Sequence, residues 1–133
     1  MKIQKIAAVT LKVRNMDRAC VFYSRIPGLK LSYGGSPDSI FTSFEMTDRD
    51  SGSISHINLE FSREFKSENF GRIIIFSEDV DKLYDFFKHD SIISKIIQIE
   101  DEPKDSNWGE RYFHVIDPDG HELSFAQPIK KKN

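Results

Sequence analysis

The sequence predicts an α+β fold: one domain, residues 1–133, made of two βαβββ modules whose curved sheets surround a groove. Three observations carry that prediction. The order strand, helix, strand, strand, strand can be read twice, over residues 1–64 and 65–133. A shift of 64 residues lays Asp17 on Asp81, Phe22 on Phe86, Val9 and Leu11 on Ile73 and Ile75, and Leu59 and Phe61 on Leu123 and Phe125. Each long strand alternates, with an aliphatic side for a helix and a mixed side for something else.

The elements follow in order. Residues Ile3 to Val13 read as a strand, with Ala7, Val9, Leu11 and Val13 on one side and Ala8, Thr10 and Lys12 on the other. Asn15 or Asp17 caps a helix to about Ile26, with Met16, Ala19, Cys20 and Tyr23 as its apolar stripe, and Pro27-Gly28 ends it. Strands follow at Leu29–Tyr33, Ile40–Met46 and Ser53–Phe61, separated by Gly34-Gly35 and Ser51-Gly52. The polar run Ser62 to Asn69 reads as a linker. The second module opens with a strand from Gly71 to Phe76. A helix from Asp79 to about His89 buries Val80, Leu83, Tyr84 and Phe87. Strands are expected near Lys95–Glu100, Arg111–Ile116 and Glu122–Gln127. Asp117-Pro118-Asp119-Gly120 joins the last two, since Pro presets φ and Gly accepts positive φ.

Composition narrows the function classes. A chain of 133 residues with 38% hydrophobic residues and eleven Phe buries a core without staples. A formal net charge of −2 leaves no basic excess for nucleic acid. Lys130-Lys131-Lys132 reads as a frayed, solvated end. The single cysteine, Cys20, excludes an internal disulfide and a thiolate metal site, and suits a reducing compartment. No apolar stretch approaches the ~20 residues of a membrane span, and no signal-peptide core opens the chain. The expectation is a cytoplasmic protein with no membrane and no nucleic-acid partner.

The sides away from the helices hold Ala8, Thr10 and Lys12; His56, Asn58 and Glu60; Arg72, Ile74 and Phe76; and Glu122, Ser124 and Ala126. Polar and apolar residues mix there as they do in ligand sites, which points to a groove that holds a small molecule. A solvated sheet face is the plainer alternative.

Two stretches carry a family resemblance. One is Leu11-Lys12-Val13 with Phe22-Tyr23 and Pro27-Gly28-Leu29. The other runs from Trp108-Gly109 through Asp117-Pro118-Asp119-Gly120 to Phe125. They resemble the vicinal-oxygen-chelate (glyoxalase/bleomycin resistance protein/dioxygenase) superfamily, and the Trp-Gly looks like its bleomycin-resistance branch. Metal enzymes of that superfamily use four ligand positions, which fall here on Ala8, Glu60, Arg72 and Ser124. Ala8 has no donor, Arg72 is a cation without a lone pair, Ser124 is a weak neutral donor, and only Glu60 suits a divalent metal. The resemblance therefore implies a protein with no metal and no cofactor, in which Arg72 stands as a fixed positive charge.

The leading expectation is a metal-independent small-molecule binding protein of the sequestration or resistance type. Its ligand-binding candidates are Arg72, Glu60, Asn58, Ser124, Trp108, Thr10 and Phe76. The family's bleomycin-type ligands are cationic; Arg72 instead favours an anionic or neutral one. Arg72 and Glu60 pairing with each other is the structural alternative. The rival is a glyoxalase-like lyase, isomerase or dioxygenase, or a metal-free enzyme with Arg72 as electrophile and Glu60 or His56 as base. A regulatory binding module is the third reading. His56 reads first as an exposed strand residue and otherwise as a base; His56, His114 and Glu60 together would be an unorthodox metal site. Trp108 is either a ligand-stacking ring or a loop anchor, and Tyr33, Phe41 and Tyr112 are possible lining. Cys20 reads as core filler, His121 as a strand-edge residue, and His89 as a helix-end partner. The family's habits imply a homodimer.

Overall fold

The computed structural model describes residues 1–68 and 70–129. Asn69, at the end of the expected linker, and the Lys130-Lys131-Lys132 run lie outside the described residues. The chain divides into two compact units, Met1–Lys66 and Ser67–Asn133. Each is an α+β unit with a helix on one face of a sheet.

The first unit is β1 (Ala8–Val13), α1 (Met16–Arg25), β2 (Lys30–Tyr33), β3 (Phe41–Thr47) and β4 (Ile54–Phe61). The strands lie in the order β1-β4-β3-β2, with β1 parallel to β4 and the rest antiparallel. The Asn15 side chain caps α1 by accepting from the Arg18 N–H at 3.0 Å, which contributes about 1 kcal/mol. Leu11, Leu59, Phe22 and Tyr23 are fully buried where α1 meets the sheet. The expected strand from Ile3 is corrected: it starts at Ala8. Residues before it, such as Ile3 and Ile6, are exposed, so nothing there rewards pairing.

The second unit is β5 (Ile73–Phe76), α2 (Val80–His89), α3 (Ile93–Ile96), β6 (Gln98–Ile99), β7 (Lys104–Asp105), β8 (Glu110–Ile116) and β9 (Glu122–Pro128). Strand order is β5-β9-β8-β6, with β7 also on β8. Asp79 caps α2 by accepting from the Lys82 N–H at 3.1 Å. Phe87, Phe113 and Phe125 form its aromatic core, with ring centroids 5.3 to 6.1 Å apart.

Two sequence expectations are corrected here. The strand placed at Lys95–Glu100 begins inside the short helix α3, which ends at Ile96, and only Gln98 and Ile99 form β6. The Asp90 carboxylate accepts from the Ile92 and Ile93 N–H groups at 2.9 and 2.8 Å, which turns the chain and buries Ile93. The uniform 64-residue repeat also fails at the last strands. Helices and caps repeat at 64 (Asn15 to Asp79, Met16 to Val80). Thr10, however, pairs with Asn58 while its counterpart Ile74 pairs with Ser124, so the last strands repeat at 66. Ser124 is thus the counterpart of Asn58, not Glu60, and Glu60 answers to Ala126. The second half carries α3 and β7 in between, so one shift cannot hold end to end.

Candidate functional site

The face of the second sheet away from α2 is built in cross-strand rows. Residues directly opposite on paired strands share a face. One row is Phe76, Ala126, Tyr112 and Lys104; the next is Ile74, Ser124 and His114; the third holds Glu122, Ile116 and Gln98. Arg72 lies just before β5, on the side of the third row. Ile74 and Phe76 are 62% and 63% exposed, so this face is apolar at one edge and open.

Across the face runs a ladder of rings. Trp108 stacks on Tyr112 with centroids 5.6 Å apart, and Tyr112 lies 5.1 Å from the His114 ring. Trp108 reaches this position because the chain turns at Gly109, whose φ of +94° disfavours any side chain. Its indole N–H donates to Glu110 Oε1 at 2.9 Å. Lys104 Nζ sits 5.4 Å from the Tyr112 ring centroid. Arg111 points elsewhere, fastening β7 and α2 to β8 through Asp105 at 3.0 Å and Asp81 at 3.0 Å.

Asp101 closes the gap between β6 and β7. Its Oδ1 accepts from the His114 backbone N–H at 2.7 Å, and its Oδ2 lies 3.3 Å from both His114 Nδ1 and Lys104 Nζ. The His114 pKa is held below the ordinary imidazole value of 6.5, first by burial and then by the Arg72 charge, against the pull of Asp101 and Glu100. The unfolded chain therefore protonates His114 first. This side chain's stability contribution is complete above 6.5 and is lost as pH falls through the lowered value. Arg72→Ala is expected to raise the His114 titration midpoint, read from its imidazole resonances by NMR. An unchanged midpoint would remove Arg72 from that environment.

Arg72 donates from Nη1 to the Leu123 carbonyl at 3.0 Å, and its Nη2 lies 3.6 Å from Glu100 and 3.7 Å from Glu122. It thus finds its carboxylates inside its own unit rather than standing as a bare positive charge. Glu100, Asp101, Glu110 and Glu122 outnumber Arg72 and Lys104 around this face. That balance turns against the anionic ligand expected from Arg72 alone.

The other expected site residues belong to the first unit, on the sheet face away from α1. Asn58 Nδ2 donates to Thr10 Oγ1 at 3.3 Å and Asn58 Oδ1 accepts from Ser43 Oγ at 2.7 Å, so this row satisfies itself. His56 lies between Ala8 and Glu45, and Glu60 between Lys12 and Phe41. At one end, Tyr33, Gly34, Ser39, Ile40 and Phe41 line an open groove of about 600 Å³. Cys20 is buried against Thr42, and burial raises its thiol pKa, as befits core filler.

A metal of the kind held by enzymes of the resembled superfamily does not suit the residues present. Ala8 offers no donor, Arg72 is already held by two carboxylates, and Ser124 is 4% exposed with a neutral hydroxyl. Among the described residues no three His, Cys, Asp or Glu side chains come together to hold a metal ion. The sequence reading passed over Glu100, Asp101 and Lys104, and used His114 only with His56 and Glu60. The available signal was alternation: Tyr112 and His114 are two apart on one strand.

The fold and this face define a class. The model of the Glyoxalase/Bleomycin resistance protein/Dioxygenase superfamily matches residues 5–125, so the chain belongs to that superfamily. A possible glyoxalase from Bacillus cereus is 23% identical, with 94% of this chain and 100% of that one covered and a TM-score of 0.65. A bleomycin resistance determinant encoded on the transposon Tn5 is 19% identical, with 94% and 98% covered and a TM-score of 0.66. A family enzyme from Burkholderia phytofirmans PsJN is 15% identical, with 92% and 98% covered and a TM-score of 0.70. At such identities the likeness is one of fold. No curated protein matches the chain.

Proposed function

We propose that this protein binds a small flat molecule on the open face of the second sheet and sequesters it, without a metal and without turnover. The observation that carries the reading is the Trp108–Tyr112–His114 ladder, three rings on a face that also exposes Ile74 and Phe76. Flat ligands gain dispersion and quadrupole attraction from such rings. A bleomycin resistance determinant shares this fold, which supports a resistance-type role. The side chains themselves support metal independence: Ala8 has no donor, Arg72 is a cation already facing Glu100 and Glu122, and Ser124 is a weak neutral donor. The proposal extends to a homodimer in the cytoplasm. The buried, lone Cys20 suits a reducing compartment, and no helix among the described residues is long and apolar enough to cross a membrane.

One observation favours an enzyme instead. Asp101 orients a His114 held neutral near pH 7, as a general base requires. Proton exchange from a bound carbon acid in D2O would favour that reading over sequestration. Elemental analysis of protein purified without a His tag tests metal independence. The expected result is substoichiometric Ni, Zn, Mn and Fe; one equivalent of a transition metal per chain would overturn it.

A further inference from the structure

We infer that the His114–Asp101 pair makes this face selective for an uncharged flat heterocycle bearing ring N–H or amino hydrogen-bond donors, and that acid abolishes the selectivity. The inference rests on the proposed flat-ligand face and names what that face prefers.

The argument begins with Asp101. A carboxylate can only accept, and its Oδ2 lies 3.3 Å from His114 Nδ1. It therefore favours the tautomer with the proton on Nδ1, which leaves the lone pair on Nε2. The His114 ring lies 5.1 Å from Tyr112 in the ladder, so a flat ligand that packs against Tyr112 comes within reach of the imidazole.

The surrounding groups are acceptors too. Glu100 and Glu122 come from the β6 end and β9, Glu110 from the start of β8. Arg72 already faces two of these and the Leu123 carbonyl. Lys104 is drawn to Asp101 and the Tyr112 ring. The charged and titratable groups around His114 are thus Arg72, Glu100, Asp101, Lys104, Tyr112 and Glu122. Donors on a ligand find partners here; a ligand carboxylate meets carboxylates.

Acid reverses the arrangement. A protonated His114 donates from both nitrogens, so Nε2 no longer accepts. Burial and Arg72 delay that change to below the ordinary imidazole value. Donor selectivity therefore holds at neutral pH and fails only in clearly acid solution.

The test uses the single tryptophan. Trp108 emission reports directly on stacking, since no other Trp is present. Adenine, caffeine and benzoate serve as probes: flat with N–H donors, flat without them, and flat but anionic. At about pH 7.5, adenine is expected to bind about tenfold more tightly than caffeine or benzoate, the scale of one well-placed hydrogen bond. That advantage is expected to vanish as pH falls through the His114 midpoint, which is read separately from the imidazole resonances by NMR. His114→Phe keeps the ring and removes the acceptor, so it is expected to bind adenine and caffeine alike on either side of that midpoint. Circular dichroism checks that the variant is folded; the comparison in the unsubstituted protein stands without it. Caffeine or benzoate binding as well as adenine at pH 7.5, or an adenine preference unchanged by acid, would overturn the donor selectivity and leave flat-ligand binding intact. Failure of all three probes to perturb Trp108 would overturn both.

Discussion

Phe113→Ala is expected to cost about 3–5 kcal/mol of stability, the usual loss for emptying a buried phenylalanine site. Urea unfolding followed by circular dichroism measures it. Phe113 is 0% exposed, and its ring meets Tyr84 at 5.5 Å, Phe87 at 6.1 Å and Phe125 at 5.7 Å. No small neighbour can move in, because three rings share the space. Its place in the chain adds a second effect. Phe113 stands between Tyr112 and His114, so the contact that seats β8 on α2 also sets the ring ladder on the opposite face. Phe113→Leu is expected to recover most of the stability, since it refills the volume. A loss under about 1 kcal/mol for the alanine variant would mean that this packing is wrong.

Tyr112→Ala is expected to weaken a flat ligand by about tenfold or more, read by calorimetry, with the fold retained by circular dichroism. Tyr112 is the middle rung: it contacts Trp108, His114 and the Lys104 ammonium. One aromatic contact is worth about 0.5–1.5 kcal/mol, and removing the middle rung loses the stacking surface and frees Trp108. Tyr112→Phe keeps the ring and is expected to bind as the unsubstituted protein does. Equal affinity for the alanine and phenylalanine variants would move the ligand off this face.

The long elements were legible because their patterns are long. The α1 and α2 stripes and the alternation in β1, β4, β8 and β9 each repeat over six residues or more. Helix caps at Asn15 and Asp79 were equally plain, since a polar acceptor precedes an apolar period. What lay hidden was set by single side chains. Asp90 turns the chain into α3, and Asp101 bridges a break in pairing that no periodicity records. Those two aspartates also explain why the stretch from 90 to 109 defeated a fixed repeat length.

The candidate site was legible by position more than by partner. Arg72, Ser124, Phe76 and Trp108 were proposed as site residues from alternation and resemblance, and the structure puts them on or beside one face of the second sheet. The pairing of Glu100 and Glu122 with Arg72 was not legible: Glu122 was placed on the same face without a partner, and Glu100 lies just past the two-residue strand β6, where alternation no longer gives its facing. Without Glu100 and Glu122, the guanidinium reads as a free anion grip. With them, it becomes part of a balanced polar cluster and a source of the low His114 basicity.

The most direct check is an NMR titration of isotopically labelled protein, dialysed against a chelator, with a flat ligand such as adenine. The account expects shifts at the Trp108 indole, the Tyr112 amide and the His114 ring, saturating together with no metal added. Shifts confined to Thr10, His56, Asn58 and Glu60, or shifts that need added zinc, would contradict it.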